Sequence, residues 1–311
     1  MNAKKISIVT PTFNEEQNIK ELCLAISNKM KELNYDYEHI VIDNSSTDKT
    51  ILILEELTAT NKKLKVIINS RNFGHIRSPI YGLLQASGDA MILMSSDFQD
   101  PIELISKYVE EWEKGHLVVM GQKTTSDENK FKHNLKKLFY KFINLISEIP
   151  LLMDTTGAGL YDKKIIEELR KTKDPYPYFR GLVSEITNDV KLIPFHQPKR
   201  NKGKTKNNYY TLYDLGIVGI IKHSKIPLRI ITFIGLTASF LSFVISIIFL
   251  FRKIFNWDSF DVGVAPLIIG LFMLASIQIF LLGFIGEYVM NILQQTRNLP
   301  LVVEKKRINF D

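Results

Sequence analysis

Two charge-free stretches near the C-terminus constrain this chain more than any other feature. Ile230 to Phe251 is 22 residues without a charged side chain, and Val262 to Gly286 is 25. At 1.5 Å per residue, either stretch as a helix is long enough to cross the roughly 30 Å of hydrocarbon in a bilayer. They read as two transmembrane helices. The alternative, a pair of buried core helices in a soluble protein, fits less well because such helices seldom run so far without a charge. Between the stretches lies the short polar turn Arg252 to Asp261, whose two cations are balanced by Asp258 and Asp261. Lys222, Lys225 and Arg229 precede the first stretch, and Arg297, Lys305, Lys306 and Arg307 follow the second. The excess of cations on these outer flanks predicts that both face the cytoplasm, with the turn around Trp257 on the far side. Met1 to Phe13 does not read as a signal peptide, since its apolar run is short and Glu15 and Glu16 follow at once.

The 311 residues exceed what one hydrophobic core usually organises, which leaves room for a domain ahead of the helices. The expected organisation is a cytoplasmic domain over 1–208, a juxtamembrane interfacial helix over 209–229, a two-helix hairpin over 230–290 and a cytoplasmic tail over 291–311. Leu212 to His223 continues an amphipathic pattern that Pro227 separates from the first span. A second amphipathic stripe, Phe131, Leu135, Leu138, Phe139, Phe142 and Ile146, suits either a membrane surface or a sheet face. The net charge of +7 suits nucleic acid or an anionic membrane surface, and the apolar stretches favour the membrane, so no nucleic-acid partner is expected. The single cysteine, Cys23, excludes an intrachain disulfide and a cysteine zinc cluster. A homo-oligomer is left open.

Over the first 200 residues, short apolar runs alternate with amphipathic helical patterns, the signature of an α/β fold with a mostly parallel, Rossmann-like sheet. Strands are expected at Ile6 to Thr12, His39 to Asp43, Leu64 to Asn69, Ala90 to Ser95 and Leu117 to Gly121. Helices are expected over Asn14 to Leu33, with Ile19, Leu22, Cys23, Ile26 and Met30 on one face, and over Asp48 to Leu57 with Asp48 as N-cap. In such sheets ligands bind beyond the carboxyl ends of the strands. The loops there are unusually polar: Pro11-Thr12-Phe13-Asn14-Glu15-Glu16, Asp43-Asn44-Ser45-Ser46-Thr47-Asp48, Ser70-Arg71-Asn72-Phe73-Gly74-His75 and Ser95-Ser96-Asp97-Phe98-Gln99-Asp100-Pro101. Carboxylates held at strand tips suit a hard cation beside a diphosphate. Each loop alone also has a plain turn or capping explanation. A dinucleotide-binding dehydrogenase is excluded, because no Gly-x-Gly-x-x-Gly follows the first strand.

This series of loops, in this order, resembles the family 2 glycosyltransferases of GT-A fold, in particular the dolichyl-phosphate mannose synthase and polyisoprenyl-phosphate glycosyltransferase branch. The resemblance continues through Tyr178 to Leu182, Arg200 to Lys206 and Gly286-Glu287-Tyr288. It implies transfer of one sugar from a nucleotide-diphosphate sugar to a polyprenyl phosphate, of undecaprenyl or dolichyl type, for cell-envelope glycans. The nucleotide sugar would be held by Pro11, Thr12, Asn14, Glu15, Asp43, Arg71 and Asp97, and Mg²⁺ or Mn²⁺ by Asp97 and Gln99. Asp97, Asp154, Arg180, Arg200 and Lys206 would carry the chemistry. Arg200 and Lys206 belong to a basic run, Lys199 to Lys206, whose Gly203-Lys204-Thr205 imitates a P-loop without its first glycine or its strand and helix context.

Three positions depart from the family pattern. Ser95 stands where an acid is usual, Asn44 stands where a second Asp is common, and Gly159 stands where an Arg is usual. Ser95 and Asn44 leave open a non-catalytic membrane scaffold that keeps the fold. A glycosyltransferase with another lipid or a polysaccharide as acceptor is also open, although the Gln-x-x-Arg-Trp pattern of processive synthases is absent. His75 is expected to be structural.

Overall fold

The computed structural model describes residues 4–126, 155–172, 174, 177–198, 226–255, 264–297 and 299–310. The N-terminal part is one eight-stranded sheet in the order β7-β5-β6-β4-β1-β2-β3-β8. Strands β1 (Lys5–Thr12), β2 (Asp36–Asp43), β3 (Leu64–Asn69) and β4 (Ala90–Leu93) are its parallel centre. Their registers align the carboxyl ends, with Thr12 opposite Asp43 and Val9 opposite Leu93. The connecting helices are α1 (Ile19–Glu32), α2 (Thr50–Thr60), α3 (Gly74–Gln85) and α4 (Leu104–Glu113). Val9, Ile40, Ile42 and Ile67 are wholly buried because both faces of a parallel sheet are covered. On α1, Ile19, Leu22, Cys23, Ile26 and Met30 are all buried, as their spacing predicts.

The sheet is mostly parallel, with two of its eight strands running against the rest. Strand β6 (Thr155–Asp162) runs antiparallel to both β4 and β5 (Val118–Ser126), and β7 (Val190–Gln197) runs parallel to β5. Helices α5 (Lys163–Lys171) and α6 (Phe179–Ile186) lie between β6 and β7 in the chain. Because β6 is antiparallel, its first residues return to the carboxyl ends of β4 and β1.

The remaining elements are two long helices, α7 (Ile226–Phe255) and α8 (Val264–Thr296), and a last strand, β8 (Glu304–Ile308). The helices bracket the two charge-free stretches, and Phe233, Phe255, Leu267, Ile279 and Phe280 on them are exposed. Counted over the described residues alone, no helix carries an apolar run long enough to cross a membrane, so the structure does not confirm the two spans. Strand β8 pairs antiparallel with β3, Val66 opposite Ile308 and Ile68 opposite Lys306. The expected tail over 291–311 therefore includes the edge strand of the sheet. The juxtamembrane segment before Ile226, the Phe131 to Ile146 stripe and the turn around Trp257 lie outside the described residues.

Candidate active site

The loops after β1, β2 and β3 are tied to one another above the carboxyl ends of their strands by side-chain hydrogen bonds. Asn14, with φ of 56°, donates its backbone amide to Ser46 Oγ at 2.8 Å and accepts from the Thr47 amide at 2.8 Å. Asp43 accepts from the Ser46 amide at 2.8 Å and is fully buried; burial pushes its carboxyl up despite the bonds from Ser46. Ser45 and Phe98 also have φ near 60°, so three of the non-glycine residues in the left-handed region lie in the loops after β1, β2 and β4. Such backbone is costly unless its surroundings fix it, and it clusters where a site is being shaped.

Asp48 accepts from the Thr50 amide at 2.9 Å and from the Glu16 amide at 3.2 Å; the N-cap of α2 is Lys49 rather than Asp48 as expected, and Asp48 sits one residue before it, tying the β1 and β2 loops. Burial opposes ionisation of Asp48, but the bonds from Thr50 and Glu16 outweigh it and lower its pKa. Glu15 is buried: its amide donates to Thr50 Oγ1 and its carboxylate accepts from Asn18. Thr12 Oγ1 is buried without a hydrogen-bond partner, beside Asp43 in register.

Asn44 is saturated. Its Nδ2 donates to Asn72 Oδ1 at 2.9 Å and to the Gly74 carbonyl at 3.1 Å; its Oδ1 accepts from the Phe73 amide at 2.8 Å and from Asn69 Nδ2 at 3.1 Å. A carboxylate could make only the last two bonds. The departure at Asn44 thus fixes the loop that begins α3, and the amide has no donor left for a nucleotide base. Arg71, in that loop, is exposed with its guanidinium 4.6 Å from the Phe73 ring centre.

A cavity of about 420 Å³ opens beside these loops. Its wall includes Pro11 from β1, His75 from α3, Ser95, Gln99 and Asp100 from the loop after β4, Lys123 from β5, Gly157 from β6, and Tyr178 and Arg180 at the start of α6. Ser95 donates to Asp100 Oδ2 through its hydroxyl at 2.6 Å and its amide at 3.1 Å. Burial raises the pKa of Asp100, Ser95 opposes that, and Asp97 and Lys123 act on it from either side. Asp97 Oδ1 accepts from the Gln99 backbone amide at 3.2 Å, closing a turn within the loop. Arg180 donates to the Thr155 carbonyl at 2.8 Å, and its guanidinium lies 5.5 Å from the Tyr178 ring centre.

Of the sequence-predicted residues, Pro11, Gln99 and Arg180 line the cavity. Asp97 is half-buried in the loop that contributes Ser95, Gln99 and Asp100. Thr12, Asn14, Glu15 and Asp43 belong to the neighbouring β1 and β2 loops, and Arg71 stands apart from the cavity wall. Asp154, Arg200 and Lys206 lie outside the described residues. His75, expected to be structural, is exposed on the cavity wall. Lys123 was not singled out from the sequence; its signal is one cation at the end of a strand that otherwise reads as core. Gly159 is explained by packing: a Cβ there would meet the Val119 carbonyl oxygen at 2.3 Å, so the β6 backbone leaves no room for an arginine.

The donor set of the β4 loop fits a hard divalent cation: one carboxylate (Asp97), one side-chain amide (Gln99) and one hydroxyl (Ser95). Among the described residues no group of three His, Cys, Asp or Glu side chains could hold a metal. The remaining ligands would come from a bound diphosphate and water.

The model of glycosyl transferase family 2 matches residues 7–170, the segment that builds these loops. The chain belongs to this family. An uncharacterized glycosyltransferase of Bacillus subtilis is 32% identical to it over 98% of this chain and 94% of its own length. A bactoprenol glucosyl transferase of Shigella phage SfII is 29% identical over 97% of this chain and 98% of its own. Among solved structures, Mycobacterium tuberculosis glucosyl-3-phosphoglycerate synthase is 15% identical with a TM-score of 0.48, covering 70% of this chain and 78% of that one. A mannosyltransferase of Pyrobaculum calidifontis, solved with GDP-Man and Mn²⁺, is 14% identical with a TM-score of 0.45, covering 72% and 64%.

Proposed function

We propose that this glycosyltransferase moves one sugar from a nucleotide-diphosphate sugar to a polyprenyl phosphate at the cytoplasmic face of a membrane. The observation that carries this reading is the extent of the match to the phage bactoprenol glucosyl transferase, which runs over 97% of this chain and so takes in α7, α8 and β8 as well as the sheet. A soluble donor and a lipid-bound acceptor must meet at headgroup level, which suits a nucleotide pocket fused to membrane helices.

Two charge-free stretches, helices of 30 and 33 residues around them and the cation excess on their outer flanks support a membrane hairpin. The pairing of β8 with β3 adds a constraint independent of charge. The chain leaves the sheet after β7 and rejoins it at β8, so it must cross any membrane an even number of times in between.

In the transfer, a phosphate oxygen of the acceptor forms a bond to the anomeric carbon as the bond from that carbon to the nucleoside diphosphate breaks. The acceptor phosphate is ionised near neutral pH, so no strong general base is needed. Asn14, Ser46 and Thr47 lock the loops where the nucleoside would lie, and Thr12 and Asp43 face each other beneath them. Lys123 and Arg180 supply the cavity's positive charge for phosphate oxygens. Asp97 and Gln99 would hold Mg²⁺ or Mn²⁺, which when bound neutralises charge growing on the leaving diphosphate.

The test is incubation of the purified chain with undecaprenyl phosphate and a panel of labelled nucleotide sugars, followed by organic extraction. A labelled lipid with one sugar per phosphate is expected. Label on another lipid or a polysaccharide would reassign the acceptor, and nucleotide binding without turnover of any donor would favour the scaffold.

A further inference from the structure

The loop after β4 carries a hydroxyl where its resemblance calls for an acid, and the neighbouring contacts give that hydroxyl a defined orientation. Ser95 lines the cavity beside Gln99, and its Oγ donates to Asp100 Oδ2 at 2.6 Å, the distance of a charge-assisted bond. The Ser95 amide donates to the same oxygen at 3.1 Å, so the side chain is held from two atoms. Asp100 is only 3% exposed, a depth at which a carboxylate is kept for a partner. With its single proton committed to Asp100, Ser95 Oγ has its lone pairs left for the cavity. A serine hydroxyl of this kind is an oxygen ligand for a hard cation, made more basic by the carboxylate behind it.

Resting on the metal-dependent reading above, we infer that Ser95 Oγ is itself a ligand of the divalent cation and that Asp100 is the positioning residue that orients and polarises it. The inner shell contributed by the loop is then one carboxylate, one amide and one hydroxyl. The second negative charge, on Asp100, stays one bond further out. Such a shell carries one charge fewer than a pair of carboxylates. It therefore holds the free cation weakly and gains its remaining ligands when a nucleoside diphosphate arrives.

The test is Mn²⁺ binding by the purified full chain, read from the loss of the free Mn²⁺ paramagnetic resonance signal, with UDP or GDP present and absent. Asp97→Asn, Ser95→Ala, Ser95→Thr and Asp100→Asn are compared with the parent, each after a thermal melt. The parent should bind Mn²⁺ at least tenfold more tightly with nucleotide than without. Ser95→Ala and Asp100→Asn should each weaken binding by about 10- to 100-fold, the usual effect of losing a ligand's support. Ser95→Thr, which keeps the hydroxyl, should stay within about threefold of the parent. Binding by both Ser95→Ala and Asp100→Asn within twofold of the parent, with Asp97→Asn inactive in binding, would overturn this inference alone. Should Asp100→Asn fail to fold, the contrast between Ser95→Ala and Ser95→Thr still decides. A parent that binds no Mn²⁺ with either nucleotide overturns the metal reading and this inference together.

Discussion

Arg77 Nε donates to the Leu301 carbonyl at 2.7 Å, tying α3 to a segment more than two hundred residues further along the chain. Arg77 also donates to the Pro300 carbonyl, and the Ser70 amide donates to the Val303 carbonyl. Asn309 then closes the far end, donating to the carbonyls of Thr58 and Leu64 at 3.0 and 2.9 Å. The segment after α8 is therefore part of the catalytic domain's edge, and it couples that domain to the helices.

The first prediction concerns this edge. Asn309→Ala removes donors from buried carbonyls and should cost about 1 to 3 kcal/mol, read as a lower urea midpoint with unchanged slope. Deleting residues 299–311 should cost more and expose the β3 edge to association between chains. Melting of the truncated chain at the parent temperature would show that β8 is not integral.

The parallel centre of the sheet was legible because its strands are apolar runs and its helices have a clear apolar face. Three strands were not. β6 is Thr155-Thr156-Gly157-Ala158-Gly159-Leu160-Tyr161-Asp162, which reads as a loop, yet Gly159 is there because a neighbouring backbone passes too close for any side chain. β7 carries Pro194 and alternates weakly. β8 is Glu-Lys-Lys-Arg-Ile, and charge of that density hides an edge strand from any hydropathy pattern while protecting it from wrong pairing. At the site, loop membership was readable from residue types, but Lys123 and the Ser95–Asp100 bond depend on which strands are neighbours.

A second prediction follows from the saturated Asn44. Asn44→Asp removes two donors and sets a carboxylate against Asn72 Oδ1 and the Gly74 carbonyl. It should lower stability by about 2 to 3 kcal/mol near neutral pH and raise KM for the donor through a loosened α3 loop. Chemical denaturation of the variant checks the first effect; equal stability would mean that the amide's bonds are replaceable.

The pH dependence of stability has a defined contributor at the opposite end of the sheet. Burial disfavours the Glu38 carboxylate, but Lys65, Ser7 and Ser87 outweigh it and hold its pKa down to about 2. Lys65 Nζ lies 2.8 Å and Lys5 Nζ 3.2 Å from Glu38 Oε2. Because the folded value lies below the unfolded one near 4.5, this stabilisation is full above about pH 5 and is lost as the pH falls towards 2. Glu38→Gln should flatten the urea midpoint between pH 5 and 2 relative to the parent.

Membrane topology is checked with cysteine labelling in intact cells. Cys23 is buried and its thiol is pushed up to about 12, so it is a silent background. Ser259→Cys, in the turn, should react with a membrane-impermeant thiol reagent, and Lys305→Cys, exposed on β8, should react only after the cells are opened. The opposite pattern would reverse the assigned orientation.

The most direct test of the account compares parent and Asp97→Asn in a single-turnover transfer to undecaprenyl phosphate, with the donor identified from the panel and thermal unfolding matched beforehand. The parent should form lipid-linked sugar, lose that activity to a chelator and regain it with Mg²⁺ or Mn²⁺. The variant should be slower by at least about 100-fold, since cation stabilisation of a leaving diphosphate contributes several kcal/mol. Transfer by Asp97→Asn at the parent rate, or a parent indifferent to chelation, would contradict it.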